Sequence, residues 1–230
     1  MSERASAQRW LRHQSLPLVF GLLFLGSLVG QALTGWHRFN DEQHAARLSG
    51  ISLPDYLTSA DFAVDVTENW QSEYLQFLLY ILFTVWLLQR GSPESKELDK
   101  AGGESDEEQK VGAHAEEDSP AWARVGGWRR TVYSNSLGLV MAVIFFVSWG
   151  VQSLAGWAAY NRERLVDLRD PISWPAYLHN ADFWSRTLQN WQSEFLAVGS
   201  FAVLAVYLRQ RGSPQSKPVG EPHASTGVEG

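Results

Sequence analysis

Cysteine is absent from this chain of 230 residues, so disulfides, thiolate metal sites and cysteine nucleophiles are excluded. Base is not in excess either. The 19 Lys and Arg stand against 25 Asp and Glu, for a formal charge of −6. No basic domain is present, and nucleic acid is not an expected partner. The chain contains no phosphate-binding glycine loop, no G-x-S-x-G and no H-x-x-x-H, the local patterns that phosphate, acyl and zinc chemistry would use. Its histidines are scattered and do not cluster with carboxylates. No metal, no cofactor and no enzymatic activity are expected.

Long apolar runs are what the chain does have. The mean hydropathy of −0.20 looks soluble, but that average hides strong segregation. Four runs are almost free of charge: Leu16–Trp36, Trp70–Leu88, Leu137–Trp157 and Trp191–Leu208. Each has about 18–21 residues, enough to cross roughly 30 Å of hydrocarbon as a helix. The 11 tryptophans suit aromatic belts at two membrane interfaces.

The runs belong to a repeat. Ser15–Lys96 aligns with Ser136–Lys217 without a gap, and about 35 of 82 positions are identical. Gln31–Trp36 (QALTGW) meets Gln152–Trp157 (QSLAGW). Asn69–Leu75 (NWQSEYL) meets Asn190–Leu196 (NWQSEFL), and Gln89–Lys96 (QRGSPESK) meets Gln210–Lys217 (QRGSPQSK). No histidine is shared: His37 meets Ala158, His44 meets Leu165, and His179 meets Thr58. The sequence predicts an all-α integral membrane protein of four transmembrane helices, made by tandem duplication of a two-helix unit. Recurrence of the first run deep inside the chain argues against a cleaved signal peptide and against buried soluble helices.

Two spans per unit give both units the same orientation, with a parallel pseudo-twofold along the membrane normal. The N-terminal tail, Gln89–Tyr133 and the C-terminal tail hold 13 of the 19 basic residues. Both termini and the central segment are therefore expected in the cytoplasm. The expected order is a cytoplasmic N-tail (1–14), repeat 1 (15–96), an acidic disordered linker (97–121), a basic and aromatic membrane anchor (122–135), repeat 2 (136–217) and a disordered C-tail (218–230). The spans are 16–36, 70–88, 137–157 and 191–208. Before the second and fourth, apolar residues at helical spacing predict amphipathic helices on the outer surface, 53–68 and 174–189. Ser52 and Ser173 are placed to cap them, with Pro54 and Pro175 in the first turn.

The candidate site is a polar intramembrane cluster at one depth: Gln31, Asn69, Gln71, Glu73, Gln152, Asn190, Gln192 and Glu194. Asn69 and Glu73 are i,i+4, as are Asn190 and Glu194. Gln31 and Gln152 could donate to the glutamates and lock helix to helix, or the glutamates could bind protons or cations. Arg90, Arg129, Arg130 and Arg211 are candidate lipid-headgroup contacts, with Gly91 and Gly212 expected as left-handed helix caps. Gly21, Gly26, Gly30, Gly35, Gly150 and Gly156 are expected to admit close helix contact. Asp61 and Asp182 recur with no derivable role, Arg38 and Arg162 being possible partners for such an acid.

The QALTGW, NWQSEFL and QRGSPxSK motifs resemble those of a bacterial four-helix membrane-protein family known as a domain of unknown function. The resemblance covers nearly the whole chain except the linker. It implies the bacterial cytoplasmic membrane and brings no activity to carry over. Two readings of function stand: a structural, interaction or accessory membrane component, or a small transporter or channel subunit with an acidic site near the outer leaflet. The expected partners are the lipid bilayer and a homo-oligomer or membrane protein.

Overall fold

A computed structural model describes residues 2–230, with side chains from Gln8 onward. Met1 and the Arg4 side chain, both part of the expected N-tail, lie outside the described residues. Among the described residues there are helices and no strands. The longer helices are α1 (Ser2–His13), α2 (Ser15–Ala45), α4 (Ala60–Phe83), α7 (Ser136–Val166) and α9 (Ala181–Tyr207). Short ones lie between them: α3 (Leu53–Leu57), α5 (Ala121–Arg124), α6 (Trp128–Ser134) and α8 (Trp174–Tyr177).

Two helices, α2 and α7, are long and apolar enough to cross a membrane. Each has 31 residues and a stretch of mean hydropathy 2.0. Both run beyond the expected ends at Trp36 and Trp157, because no glycine or proline intervenes before Gly50 and Pro171. Their ends share a Schellman pattern. Arg47 (φ 61) and Leu168 (φ 58), at equivalent positions of the repeat, are left-handed. The Leu48 and Arg169 amides then reach back to the Gln43 and Arg164 carbonyls at 2.8 and 2.7 Å, satisfying two orphan acceptors.

The expected amphipathic helices 53–68 and 174–189 are each broken in two. Ser52 and Ser173 do cap α3 and α8. Chain direction then changes, and Ser59 and Asn180 cap a second helix at the Phe62 and Asp182 amides. Those caps are short polar residues whose side chains compete for backbone donors. From there α4 and α9 continue without interruption toward the apolar runs. The spans expected to 88 and 208 stop at Phe83 and Tyr207. Just past the first end, the Thr84 hydroxyl bonds back to the Tyr80 carbonyl at 2.7 Å. Past the second, Arg209 donates to the Val206 carbonyl at 3.1 Å, satisfying a last-turn acceptor.

The chain divides into two compact units. The first comprises Met1–Val64 and Ala158–Pro171. Its buried apolar residues are Phe39, Tyr56 and Val64. Trp36 donates its indole N–H to the Ile51 carbonyl at 2.7 Å. Asn40 clasps the same residue, donating to its carbonyl and accepting from its amide at 2.8 Å.

The second unit comprises Asp65–Trp157 and Ile172–Gly230. Its core centres on Leu75, Leu78 and Phe145, packed by Met141, Trp149 and Trp191. Phe145 stacks on Trp149 at 5.7 Å, and Trp149 stacks on Phe183 at 6.1 Å. The linker, expected to be disordered, holds two short 3-10 turns, and lysine side chains anchor both it and the C-tail, expected to be disordered as well. Lys96 reaches Glu104 at 2.9 Å, and Lys217 is 1% exposed.

Candidate functional site

The first recurring construction joins a glycine, a tyrosine and an aspartate. In the first unit the Tyr56 ring lies over Gly35, its hydroxyl 2.3 Å from where a Cβ would stand. In the second unit Tyr177 lies over Gly156 in the same way, at 2.6 Å. The glycine of QxLxGW is therefore a docking place for tyrosine. Gly21, Gly26, Gly30 and Gly150 have open space at that position, so the expectation that they admit close helix contact is not met among the described residues.

The ADF motif completes this construction. Phe62 packs on Tyr56 at 5.5 Å and Phe183 on Tyr177 at 5.8 Å. Tyr177 donates to Asp182 at 2.8 Å. Burial first, then the Asp182 carboxylate, pushes the Tyr177 hydroxyl pKa up. The aspartates of the two copies take different arginines. Arg162 forks onto Asp61 at 2.5 and 3.2 Å and covers the Phe39 ring at 4.8 Å. Arg38 reaches Glu42, one helical turn away.

Arg186 serves Asp182 on its own helix and Glu68 on α4, both at 3.3 Å. Burial opposes the Arg186 charge, but the two carboxylates outweigh it and raise its pKa. At Glu68 the balance is reversed. Burial outweighs the pull of Arg186 and, helped by the like charges of Asp65 and Asp182, raises the carboxyl pKa, since burial and neighbouring carboxylates both disfavour the charged form. Neither Glu68 nor Arg186 has a like residue in the other copy: they align with Gln189 and Asp65. Repeat matching therefore could not single them out.

The expected polar cluster is only partly assembled. Gln71 is wholly buried and accepts the Trp191 indole N–H at 2.7 Å. Its amide donates to the Glu68 carbonyl at 3.1 Å. Glu194 lies beside Ser72 and within electrostatic reach of Glu73. The two asparagines do not serve the glutamates. Asn69 and Asn190 donate to the Asp65 and Arg186 carbonyls of their own helices. Glu73 and Gln192 are exposed, and Gln31 is half-buried. Gln152 corrects the helix-locking expectation: it is 1% exposed, yet neither its oxygen nor its nitrogen has a partner. It does not bond to Glu194.

The QRGSPxSK motif is a self-bonded turn. Gly91 (φ 86) and Gly212 (φ 79) are left-handed as expected, but they lie beyond α4 and α9 and cap neither. The Ser92 and Ser213 amides close turns onto the Gln89 and Gln210 carbonyls, with glycine at the third position where a positive φ is required. The Ser95 and Ser216 hydroxyls each accept the amide of the leading glutamine at 2.9 Å. The lysine then anchors the following chain. Lys217 donates to the Pro222, His223 and Ser225 carbonyls, which matches the three donors of an ammonium. Thr226 and Gly227 meet the first copy's turn at Gly91 and Ser92.

Of the candidate headgroup contacts, Arg90 and Arg211 are exposed. Arg129 lies over the Trp128 ring at 5.7 Å, while Arg130 pairs with Asp106 of the linker at 3.1 Å. Trp122 meets Trp128 edge to face at 6.0 Å.

No curated protein and no solved structure matches the chain. The family described as Domain of unknown function (DUF6766) matches residues 7–228. With nearly its whole length covered, the chain belongs to the DUF6766 family.

Proposed function

We propose that this is a four-span protein of the bacterial cytoplasmic membrane, serving as a structural or accessory component and not as an enzyme. On this reading, α2 and α7 provide two spans, and the apolar C-terminal parts of α4 and α9 provide the others. The two-helix unit is duplicated in tandem, with a parallel pseudo-twofold along the membrane normal and both termini in the cytoplasm. The apolar helical parts, residues 70–83 and 191–207, rise roughly 21 and 26 Å at 1.5 Å per residue, and the apolar residues that follow, to Leu88 and Leu208, extend the run. The bilayer is the first partner, and a second copy or another membrane protein is the next.

The bond from Trp191 to the wholly buried Gln71 carries this reading. Here the polar groups of the NWQSE motifs join helix to helix, a common use of amides among apolar helices. Gln71→Leu should therefore lower the melting temperature, leaving the Trp191 N–H unpaired at a cost of about 1–2 kcal/mol at most.

A transporter or channel subunit is the second reading. It is favoured by the unpartnered Gln152 amide and by the nearness of Glu73 to Glu194. Proton or cation flux into liposomes separates the two. The structural reading expects no flux above that of empty liposomes. Reproducible flux that Glu73→Gln and Glu194→Gln abolish, with unchanged melting, overturns it.

A further inference from the structure

The two copies differ most in side-chain volume along one stretch of their second helices. Leu78, Leu79 and Ile81 of α4 align with Gly199, Ser200 and Ala202 of α9. Leu78 is part of the packed core. On α9 the missing volume leaves a hollow of about 420 Å³, lined by Gly199, Ala202 and Val198 on one side and by Leu79, Tyr80 and Phe83 on the other. A Cβ placed on Gly199 meets nothing within 4 Å. A second hollow of about 390 Å³ shares Gln76, Tyr80, Glu94 and Val198 with the first. These volumes are in the range of sites for small ligands.

One end of this cavity is charged. Glu94, from the QRGSPESK turn, lines both hollows and accepts the Tyr80 hydroxyl. Among the described residues no basic side chain lines either hollow. The nearby Lys96 is turned to Glu104 and to the Gly102 carbonyl. The cavity thus combines apolar walls with one carboxylate whose charge the lining does not balance. Two features belong to the first copy alone, since Tyr80 and Glu94 align with Phe201 and Gln215.

We propose that this cavity binds a lipophilic cation, with the apolar body between α4 and α9 and the positive charge at Glu94. Beside apolar walls a carboxylate attracts an opposite charge and repels a negative one. An anionic headgroup would find no donor cation there. Neither Glu73 nor Glu194 lines either hollow, and binding there does not depend on the structural role proposed above.

The repeat supplies the variants. Glu94→Gln places there the residue of the second copy, keeping an acceptor for Tyr80 while removing the charge. Gly199→Leu places there the residue of the first copy and fills the hollow. Ala202→Ile fills it from the next turn and replaces Gly199→Leu should that variant not fold. The full chain in detergent is titrated with tetraphenylphosphonium and with tetraphenylborate, ions of like shape and opposite charge. The native protein should bind the phosphonium saturably and the borate no better than empty micelles. Glu94→Gln should weaken phosphonium binding about tenfold or more without changing the melting temperature of the unliganded protein, and the filling variants should abolish it. Equal affinity for the two ions, unchanged binding in Glu94→Gln, or binding that survives filling overturns the proposal.

Discussion

The Tyr177 hydroxyl lies 2.6 Å from the place where a side chain on Gly156 would begin, and it donates from there to Asp182 at 2.8 Å. Glycine is thus required at this position by a neighbour that is itself held fixed. Gly156→Ala should destabilise the protein by about 1–3 kcal/mol, the usual range for overpacking. Tyr177→Phe removes the clashing oxygen, at the expense of the bond to Asp182. The double variant should therefore be less destabilised than the sum of the two single changes. Melting temperatures of all four proteins in one detergent give the coupling, and strict additivity would contradict the docking.

Glu68 links stability to pH. Burial raises its carboxyl pKa above 4.5 despite Arg186. A group whose folded pKa is raised binds its proton more tightly in the folded chain. Its contribution to folding is present below the ordinary value and is lost as pH rises through the folded one. The melting temperature of the native protein minus that of Glu68→Gln should therefore become more positive as pH falls from about 7 toward 4.5. A difference that moves the other way would show that Arg186 dominates after all.

Leu168 is 95% exposed and has a positive φ of 58°. The left-handed region costs an L-residue roughly 1–2 kcal/mol, partly offset by the greater unfolded-state freedom of glycine. Leu168→Gly should stabilise the protein by a few tenths to about 1 kcal/mol. Arg47→Gly, at the same place in the first copy, should act in the same direction. Thermal melting reads both.

Lys217 should be the slowest lysine to acylate. Three carbonyls occupy its three N–H groups, and it is 1% exposed. Burial lowers its pKa, which alone would speed reaction, but reagent access governs the rate. Peptide mass spectrometry after brief treatment with an amine-reactive ester should show Lys100 modified well before Lys217. Comparable rates would mean that the tail does not cover it.

Absence of cysteine makes topology straightforward to read. Ser105→Cys and Glu163→Cys each introduce a single thiol at an exposed residue. An impermeant maleimide applied to intact cells should label the protein at 163 and leave 105 unlabelled. The reverse would invert the proposed orientation.

Much of the helical pattern is legible in the sequence, because α2 and α7 are long, apolar and uninterrupted. The breaks before α4 and α9 are harder to see. Ser59 and Asn180 sit within apolar residues at helical spacing, and only their capping bonds reveal two helices in each place. The repeat marks Gly35, Tyr56, Asp61 and their counterparts as constrained without saying how. Glycine spacing suggests helix contact, whereas the contact made is with a tyrosine more than twenty residues further along the chain. Arg186 and Glu68 lie beyond such reasoning, since each aligns with a different chemistry in the other copy. Gln152 shows the opposite limit. Its type and depth suggest a bond that its surroundings do not supply.

The hydrogen bond from the Gly91 amide to Thr226 joins positions 135 apart. A contact of such sequence separation forms late, because a long loop must close before it is rewarded. The first copy's turn thus stays incomplete through synthesis of the whole second copy, and closes only when the stretch around Thr226 has been made. Insertion of the early helices and completion of their connecting turn are then separate events in time. A nascent chain halted between the copies would carry the Gly91 amide and the Ser92 carbonyl without their partners at Thr226 and Gly227.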